Sequence, residues 1–120
     1  MASDRQQLGS AAEERAAQYL GAAGLEILVR NYRCRMGELD LVARQANTLI
    51  VAEVRMRSDS RFGGAAASIT WSKRRRIVRA TRHLLARHPR LQKCAIRFDA
   101  VLVDGADGRI EWIRGAFDAF

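Results

Sequence analysis

The sequence has few residues that cross-link a chain. It contains two cysteines, Cys34 and Cys94, which are far apart and outside any C-x-x-C spacing. Two such cysteines favour neither a disulfide framework nor a zinc site, so we expect free thiols in a reducing compartment. No apolar run approaches the roughly 20 residues that a membrane-spanning helix needs, and the first ten residues lack a signal-peptide pattern. These absences predict a soluble, cytoplasmic protein with no membrane partner.

Proline is also scarce, and the single one is Pro89. The chain has 120 residues, of which 48% are hydrophobic and 28% are charged. It contains no internal repeat, low-complexity tract or linker. This length and composition are typical of one globular domain, so we expect a single domain over residues 1–120.

Lysine is rare although the chain is strongly basic. Lys73 and Lys93 are the only lysines among 21 basic residues, and the net charge is +8. Residues 61–97 carry eleven basic side chains and no acidic one, whereas residues 1–60 are balanced. Because arginine binds phosphate oxygens in a bidentate manner, this block predicts a nucleic-acid partner, with DNA favoured. The alternative is the solvated surface of an arginine-rich protein.

Hydrophobic periodicity predicts two helices and five strands in the order αβββαββ. The first helix ends before Gly24 and the second before Pro89, and a glycine-containing loop is expected over residues 61–67. The fold class is therefore α/β, a mixed β-sheet flanked by helices. The predicted helices span residues 5–23 and 68–88, and the predicted strands span residues 25–33, 38–44, 48–57, 95–104 and 109–114.

The strand over residues 38–44 alternates apolar and polar residues, which predicts that Leu39, Leu41 and Ala43 share one face. It is joined to the next strand by a short polar connection, so the two form a hairpin. A hairpin centred between Ala46 and Asn47 pairs residues whose numbers sum to 93.

This register places Asp40 opposite Glu53, with their Cβ atoms roughly 5 Å apart. Two like charges at that distance need a neutralising partner. Mg²⁺ would serve, because it binds one or two carboxylates together with water and phosphate oxygens. The alternative is that solvent or an arginine, such as Arg55 or Arg57, screens the pair, and a one-residue slip in register would separate the two acids.

Two acids of the first predicted helix differ in their position relative to its apolar face. Glu13 lies at the border of the apolar face and would reach towards the hairpin, whereas Glu14 lies almost opposite that face and is expected to be solvated. Glu53 itself follows an apolar run, where a carboxylate is costly without a partner. Arg55, two residues later, shares the face of Glu53.

The chain carries a series of short motifs in a fixed order. They are Gly9-x-x-Ala12-Glu13-x-x-Ala16-x-x-Tyr19-Leu20, Gly24-Leu25, Arg30-Asn31-Tyr32-Arg33, the run from Gly37 to Ala43, Glu53-Val54-Arg55-x-Arg57, Lys73, Arg97-Phe98-Asp99 and Ala116-Phe117. Together they resemble the YraN-like family (uncharacterised protein family 0102) over nearly the whole chain.

That family in turn resembles the restriction-endonuclease-like superfamily, particularly archaeal Holliday-junction resolvases with a PD-(D/E)-x-K motif. The resemblance implies a Mg²⁺- or Mn²⁺-dependent endonuclease acting on structured or branched DNA, working as a homodimer in repair or recombination. It assigns metal binding to Glu13, Asp40 and Glu53, and it adds Arg55 as a fourth catalytic residue. The nucleic-acid contacts would come from Lys73, Arg74, Arg75, Arg76, Arg79 and Arg82.

The sequence departs from the superfamily motif at two positions. Leu39 stands where the motif has proline, and Arg55 stands where it has lysine. Arginine keeps the positive charge but does not give up its proton, so it would stabilise charge without acting as a base. The second hypothesis is therefore a non-catalytic nucleic-acid-binding protein on the same fold.

Other residues carry weaker signals. A small RNA-binding protein would need aromatic residues among the basic ones, and only Phe62 and Trp71 lie near the basic block. Arg97 and Asp99 share a strand face, where a structural ion pair explains them as well as catalysis does. His83 and His88 are interpreted as surface groups.

Overall fold

The computed structural model describes residues 4–57 and 69–119. The predicted glycine loop at 61–67 lies outside the described residues. The predicted order αβββαββ is confirmed, and a short 3₁₀ turn at Pro89–Leu91 follows the second helix. The elements are α1 (Asp4–Ala22), β1 (Glu26–Cys34), β2 (Gly37–Gln45), β3 (Thr48–Arg57), α2 (Trp71–Arg87), β4 (Ala95–Asp104) and β5 (Ile110–Phe117).

Local chemistry sets the ends of both helices. After α1, Gly24 has a φ of +98°, and the Leu25 amide donates to the Leu20 carbonyl at 3.0 Å. This is a Schellman end, which requires a residue that tolerates positive φ. At the start of α2, the Thr70 hydroxyl accepts a hydrogen bond from the Lys73 amide at 3.2 Å, as an N-cap residue does. The cap fixes where α2 begins and so fixes the place of Lys73 in its first turn.

The five strands form one sheet in the order β1-β2-β3-β4-β5. Only β3 and β4 run parallel, because α2 connects them as a crossover; the other neighbours are antiparallel. No helix among residues 4–57 and 69–119 is long and apolar enough to cross a bilayer.

The two helices cover opposite faces of the sheet. Small residues of α1, including Ala16, pack against one face together with Leu41 and Ile50. On the other face, Ile77 and Leu84 of α2 pack on a second cluster that includes Val51 and Phe98. The site described below lies between these two layers, at the end of the β2–β3 hairpin that is far from the connecting turn.

One feature of β2 differs from the sequence prediction. Leu39 packs in the cluster beneath α2, whereas Leu41 and Ala43 pack in the cluster beneath α1, so the prediction of one shared face was wrong for Leu39. Opposite this point in β1, Asn31 has a φ of +53°. A left-handed residue breaks the alternation of side chains in a strand. The face of β2 changes around Asp40, the residue between the two leucines, next to the left-handed Asn31 of the neighbouring strand.

A buried acid of β4 connects β4 to β5 through hydrogen bonds. Asp99 is fully buried and accepts two hydrogen bonds from the Arg97 guanidinium, both at 2.8 Å. It also accepts from the Trp112 indole at 2.8 Å and from the Gly115 amide at 2.9 Å. Asp99 thus accepts four hydrogen bonds, which gives the Arg97–Asp99 pair a structural role in joining β4 to β5.

We expect Asp99→Asn to lower the free energy of unfolding by about 3 kcal/mol, because the amide loses the charge and sets a donor against donors. Glu14→Gln is the control: it removes the exposed ion pair with Arg30 and should cost less than about 1 kcal/mol. Urea denaturation followed by circular dichroism measures both variants. Equal losses at the two positions would contradict the structural role of Asp99.

Candidate active site

The β2–β3 hairpin has the predicted register. The five residue pairs run from Gln45↔Thr48 to Leu41↔Ala52, and the residue numbers in each pair sum to 93. The pairing stops at Leu41↔Ala52, one residue before Asp40 and Glu53 would face each other. The two strands therefore separate just where the two acids lie.

Asp40 bridges the gap between the separating strands. Its Oδ2 accepts a hydrogen bond from the Val54 backbone amide at 2.9 Å, so a side chain of β2 takes a donor of β3. Only 7% of Asp40 is exposed. The amide holds this carboxylate in place and satisfies one of its oxygens.

Glu53 is buried even more deeply, with 2% of the residue exposed. Its Oε1 lies 3.0 Å from Nζ of Lys73, in the first turn of α2. Its Oε2 is buried and accepts no hydrogen bond from the described residues. A buried carboxylate oxygen without a donor is costly, which makes this atom an open position for a cation, a proton or a donor from a ligand.

Burial and the neighbouring charge make Glu53 hard to ionise. Removal from water, followed by the charge of Asp40, raises the pKa of Glu53 to about 7, although Lys73 and Arg55 oppose the shift. Burial also raises the pKa of Asp40, opposed mainly by the Val54 amide and the charge of Lys73. The two carboxyl groups influence each other, since the charge of Asp40 raises the pKa of Glu53. Near neutral pH this pair holds less than two negative charges.

Glu13 lies within electrostatic reach of this pair. Burial raises the pKa of Glu13, and the charges of Asp40 and Glu38 add to that rise. The Asn31 side chain, at the irregular point of β1, hydrogen-bonds Glu13. Glu14 instead points outward to an exposed ion pair with Arg30. The contrast predicted between Glu13 and Glu14 is confirmed.

The three acids do not form one compact ligand set. Among the described residues, no group of three or more His, Cys, Asp or Glu side chains has an arrangement that would hold a metal ion. Asp40 and Glu53 remain, with the free Oε2 of Glu53. Two carboxylates suit Mg²⁺, which keeps several waters and completes its shell with phosphate oxygens. The residues therefore fit a cation bound jointly by protein and substrate.

Arg55 lies on the same strand as Glu53 and lowers its pKa through charge. Its Nε is buried and has no acceptor in the described part of the chain, and the same holds for Nε of Arg57. Arg57 also reaches Glu111 of β5 at 3.5 Å. Arg55 thus supplies positive charge beside the pair but makes no ion pair with Glu53 in this structure.

The ion-pair partner of Glu53 is a residue that sequence reasoning assigned only to phosphate contacts. Lys73 belongs to α2, twenty residues beyond Glu53, and no local pattern brings the two together. The available signal was its identity, since Lys73 is one of only two lysines in an arginine-rich chain. A lysine is a compact charge on a flexible stem, and this one is 30% exposed while its partner carboxylate is buried.

The arginines of α2 separate into two groups. Arg74 turns back onto the protein: its Nε donates to the Ile69 carbonyl at 2.9 Å and its guanidinium lies over the rings of Trp71 and Phe117. The others are exposed: Arg87 lies in the last turn, and the basic face nearer the start of the helix consists of Arg75, Arg76, Arg79 and Arg82. His83, interpreted as a surface group, is instead half-buried and bonded to the Tyr32 hydroxyl.

Glu53 should make the metal-free protein less stable as the pH rises from about 4.5 to about 7. The folded protein keeps the Glu53 proton up to a pKa of about 7, whereas the unfolded chain releases it near 4.5. The folded state binds more protons in this window, so its stability falls as the pH rises. The whole difference corresponds to roughly 3 kcal/mol.

The midpoints of urea denaturation, measured across this pH range in buffer with EDTA, test the predicted loss of stability. Glu53→Gln should show a smaller fall than the unmodified protein. Asp104→Asn is the control, because hydrogen bonds from backbone amides lower the pKa of Asp104 and keep its titration below the window. A fall of equal size in the Glu53→Gln protein would contradict the assignment.

Comparisons with known proteins place this chain among close relatives. A UPF0102 protein of Nitrosomonas europaea is 54% identical over 111 residues, which cover 92% of each chain. A UPF0102 protein of Nitrosospira multiformis is 52% identical over 92% of each chain. A UPF0102 protein of Legionella pneumophila is 43% identical over 95% of this chain and 97% of its own.

A family model, Uncharacterised protein family UPF0102, matches residues 12–103. The matched region begins just before Glu13 and includes the β2–β3 hairpin, Lys73 and nearly all of β4. The region of similarity thus contains every residue of the site described above. On the family match and the three relatives, the chain belongs to the UPF0102 family.

Proposed function

We propose that this protein is a divalent-cation-dependent nuclease that cleaves structured or branched DNA. The observation that carries the proposal is the buried pair Asp40 and Glu53 with Lys73 at 3.0 Å from Glu53. A stable fold has no need of two interacting acids at the point where a hairpin opens, because their burial is costly. Perturbed acids of this kind are typical of functional sites.

The chemistry would be hydrolysis of a phosphodiester. Water adds to phosphorus, the bond from phosphorus to one sugar oxygen breaks, and the leaving oxygen gains a proton. A divalent cation held by Asp40 and Glu53, with the Val54 carbonyl nearby, would polarise the phosphate and make water more acidic. Glu13, which interacts with Asp40 and Asn31, would bind a second cation or orient water.

Lys73 offers a lysine ammonium beside Glu53, although the strand position of the motif lysine is occupied by Arg55. The superfamily motif has lysine at the position of Arg55, and arginine cannot exchange a proton. In this chain a lysine ammonium reaches the same carboxylate from α2. We assign to Lys73 the stabilisation of charge that develops on the phosphate and to Arg55 a supporting positive field.

The basic face of α2 would hold the DNA. Arg75, Arg76, Arg79 and Arg82 are exposed on the helix that carries Lys73, and arginine contacts to phosphates fix position without reading sequence. The preference for branched DNA rests on the resemblance to junction resolvases. Because a junction needs two cuts, a homodimer is part of this proposal. The protein would act in the cytoplasm, because its two cysteines are free thiols, as is usual in a reducing compartment.

A second candidate is a nucleic-acid-binding protein without catalysis. Two observations favour it: the described residues hold no three-ligand metal cluster, and Lys73 already neutralises Glu53. In that case Lys73 would replace the cation as a permanent counter-ion. Binding would be unchanged by metal, and no product would form.

Cleavage assays separate the two candidates. Linear, flapped, forked and four-way DNA are incubated with the protein and Mg²⁺ or Mn²⁺. Asp40→Asn and Glu53→Gln should each reduce the cleavage rate by about 100-fold or more, since each removes a ligand for the cation, while binding is retained. Full activity in both variants would overturn the site, and no cleavage of any substrate would favour the second candidate.

The chain offers a matched test of Lys73. Lys73→Ala should lower the cleavage rate by about 100-fold, as does loss of a group that stabilises transition-state charge. Lys93→Ala removes the same charge from an exposed position and should leave the rate unchanged. Equal rates in the two variants would remove Lys73 from the mechanism.

A further inference from the structure

A cleft of about 450 Å³ opens beside the carboxylate pair and shares Lys73 with it. This volume is in the range of pockets that hold small-molecule ligands. Its lining is mostly polar and cationic and comes from the β1–β2 turn and from α2. The lining residues are Arg33, Cys34, Gly37, Glu38, Lys73 and Arg76.

The close approach of the turn and the helix forms the base of the cleft. β1 and β2 are joined by two residues, with Cys34 paired to Gly37. Gly37 has a φ of +151°, and a Cβ added there would lie 3.2 Å from Cβ of Arg76 and 3.4 Å from its carbonyl oxygen. Glycine therefore satisfies both the backbone angle and the contact with α2. This contact positions Arg76 at the cleft wall.

The charges of the cleft favour an anion. Arg33 pairs with Glu38 at 3.3 Å, both side chains being more than half exposed, and Lys73 pairs with Glu53. Arg76 is exposed and makes no ion pair with any other described residue. The lining of the cleft thus has three cations and one carboxylate, Glu38, which is already paired with Arg33. An exposed arginine with a free fork suits a phosphate group.

We propose that this cleft binds a backbone phosphate of the DNA strand, adjacent to the phosphate that reacts at Asp40 and Glu53, and that Arg76 is its main ligand. The inference rests on the proposed function and adds the path of the strand. Lys73 stands on the wall between the two places and would contact both phosphates. The strand then runs from the carboxylate pair over the β1–β2 turn, along the first turns of α2.

The protein contains its own reporter of cleft occupancy. Cys34 lines the cleft and is a free, half-buried thiol. Cys94 is also free and half-buried, but it precedes β4, whose first residue pairs with Thr48. Thr48 lies at the end of the hairpin opposite Gly37, so Cys94 serves as an internal control.

The experiment measures iodoacetamide alkylation of each cysteine by mass spectrometry. The Asp40→Asn protein is used with EDTA, so that no cleavage occurs, and forked DNA is added in steps. We expect the DNA to slow alkylation of Cys34 at least fivefold and to leave Cys94 unchanged. Inorganic phosphate and a mononucleotide are tested in parallel. If either of these protects Cys34 at the concentration where DNA does, the strand assignment is overturned.

Variants of exposed arginines identify the ligand. Arg76→Ala should weaken DNA binding by about tenfold, as loss of one charge-assisted contact does, and should reduce the salt dependence by about one phosphate contact. Protection of Cys34 should be lost with it. Arg87→Ala removes the same charge from the exposed last turn of α2 and should keep protection. Arg76→Gln repeats the test with a longer polar side chain.

The outcomes distinguish this inference from the nuclease proposal. Protection of Cys34 that depends on Arg76, without cleavage of any substrate, supports the cleft and overturns the nuclease. Cleavage without protection of Cys34, or equal effects of Arg76→Ala and Arg87→Ala, overturns the cleft alone. Absence of DNA binding overturns both.

Discussion

The burial of Asp40 and Glu53 beside each other is the constraint on which the rest of the site depends. Two carboxylates removed from water repel each other, and each surrounding group reduces that cost. The Val54 amide binds Asp40, and the Lys73 ammonium binds Glu53. The remaining cost appears in the pKa of Glu53, raised to about 7. One oxygen of Glu53 still has no donor among the described residues, so this position remains open to a proton, a cation or a donor from a ligand.

The same constraint explains irregularities in the backbone. A regular hairpin would continue pairing past Leu41 and Ala52, and the Val54 amide would then face the backbone of β2. The strands instead separate, and the side chain of Asp40 takes that amide. The left-handed Asn31 in the neighbouring strand accompanies the change of face and also bonds Glu13. These departures from regular β-structure accompany the approach of Glu13 of α1, Asp40 of β2 and Glu53 of β3 to one another.

Local patterns in the sequence were enough to predict the elements and the hairpin register. The strands over residues 48–57 and 95–104 have the predicted bounds, because polar residues flank their apolar runs in the sequence. The register followed from one short connection. Two features depended on distant contacts and were not predictable in this way. The change of face at Leu39 coincides with the left-handed Asn31 in the neighbouring strand, and Lys73 reaches Glu53 from the first turn of α2, whose start is set by the Thr70 cap.

Under the proposed function, Lys73 and Arg55 together supply the positive charge that a single lysine supplies in the superfamily motif. Arg55 is fixed on the strand, with a buried Nε, so it provides a constant field. Lys73 is partly exposed on a flexible stem and its contact with Glu53 is exchangeable. A cation arriving at the carboxylates would compete with this ammonium for Glu53, and the displaced ammonium would remain within reach of phosphate. Under the proposed function, the lysine of the motif is not needed in the strand, because α2 supplies Lys73 at 3.0 Å from Glu53.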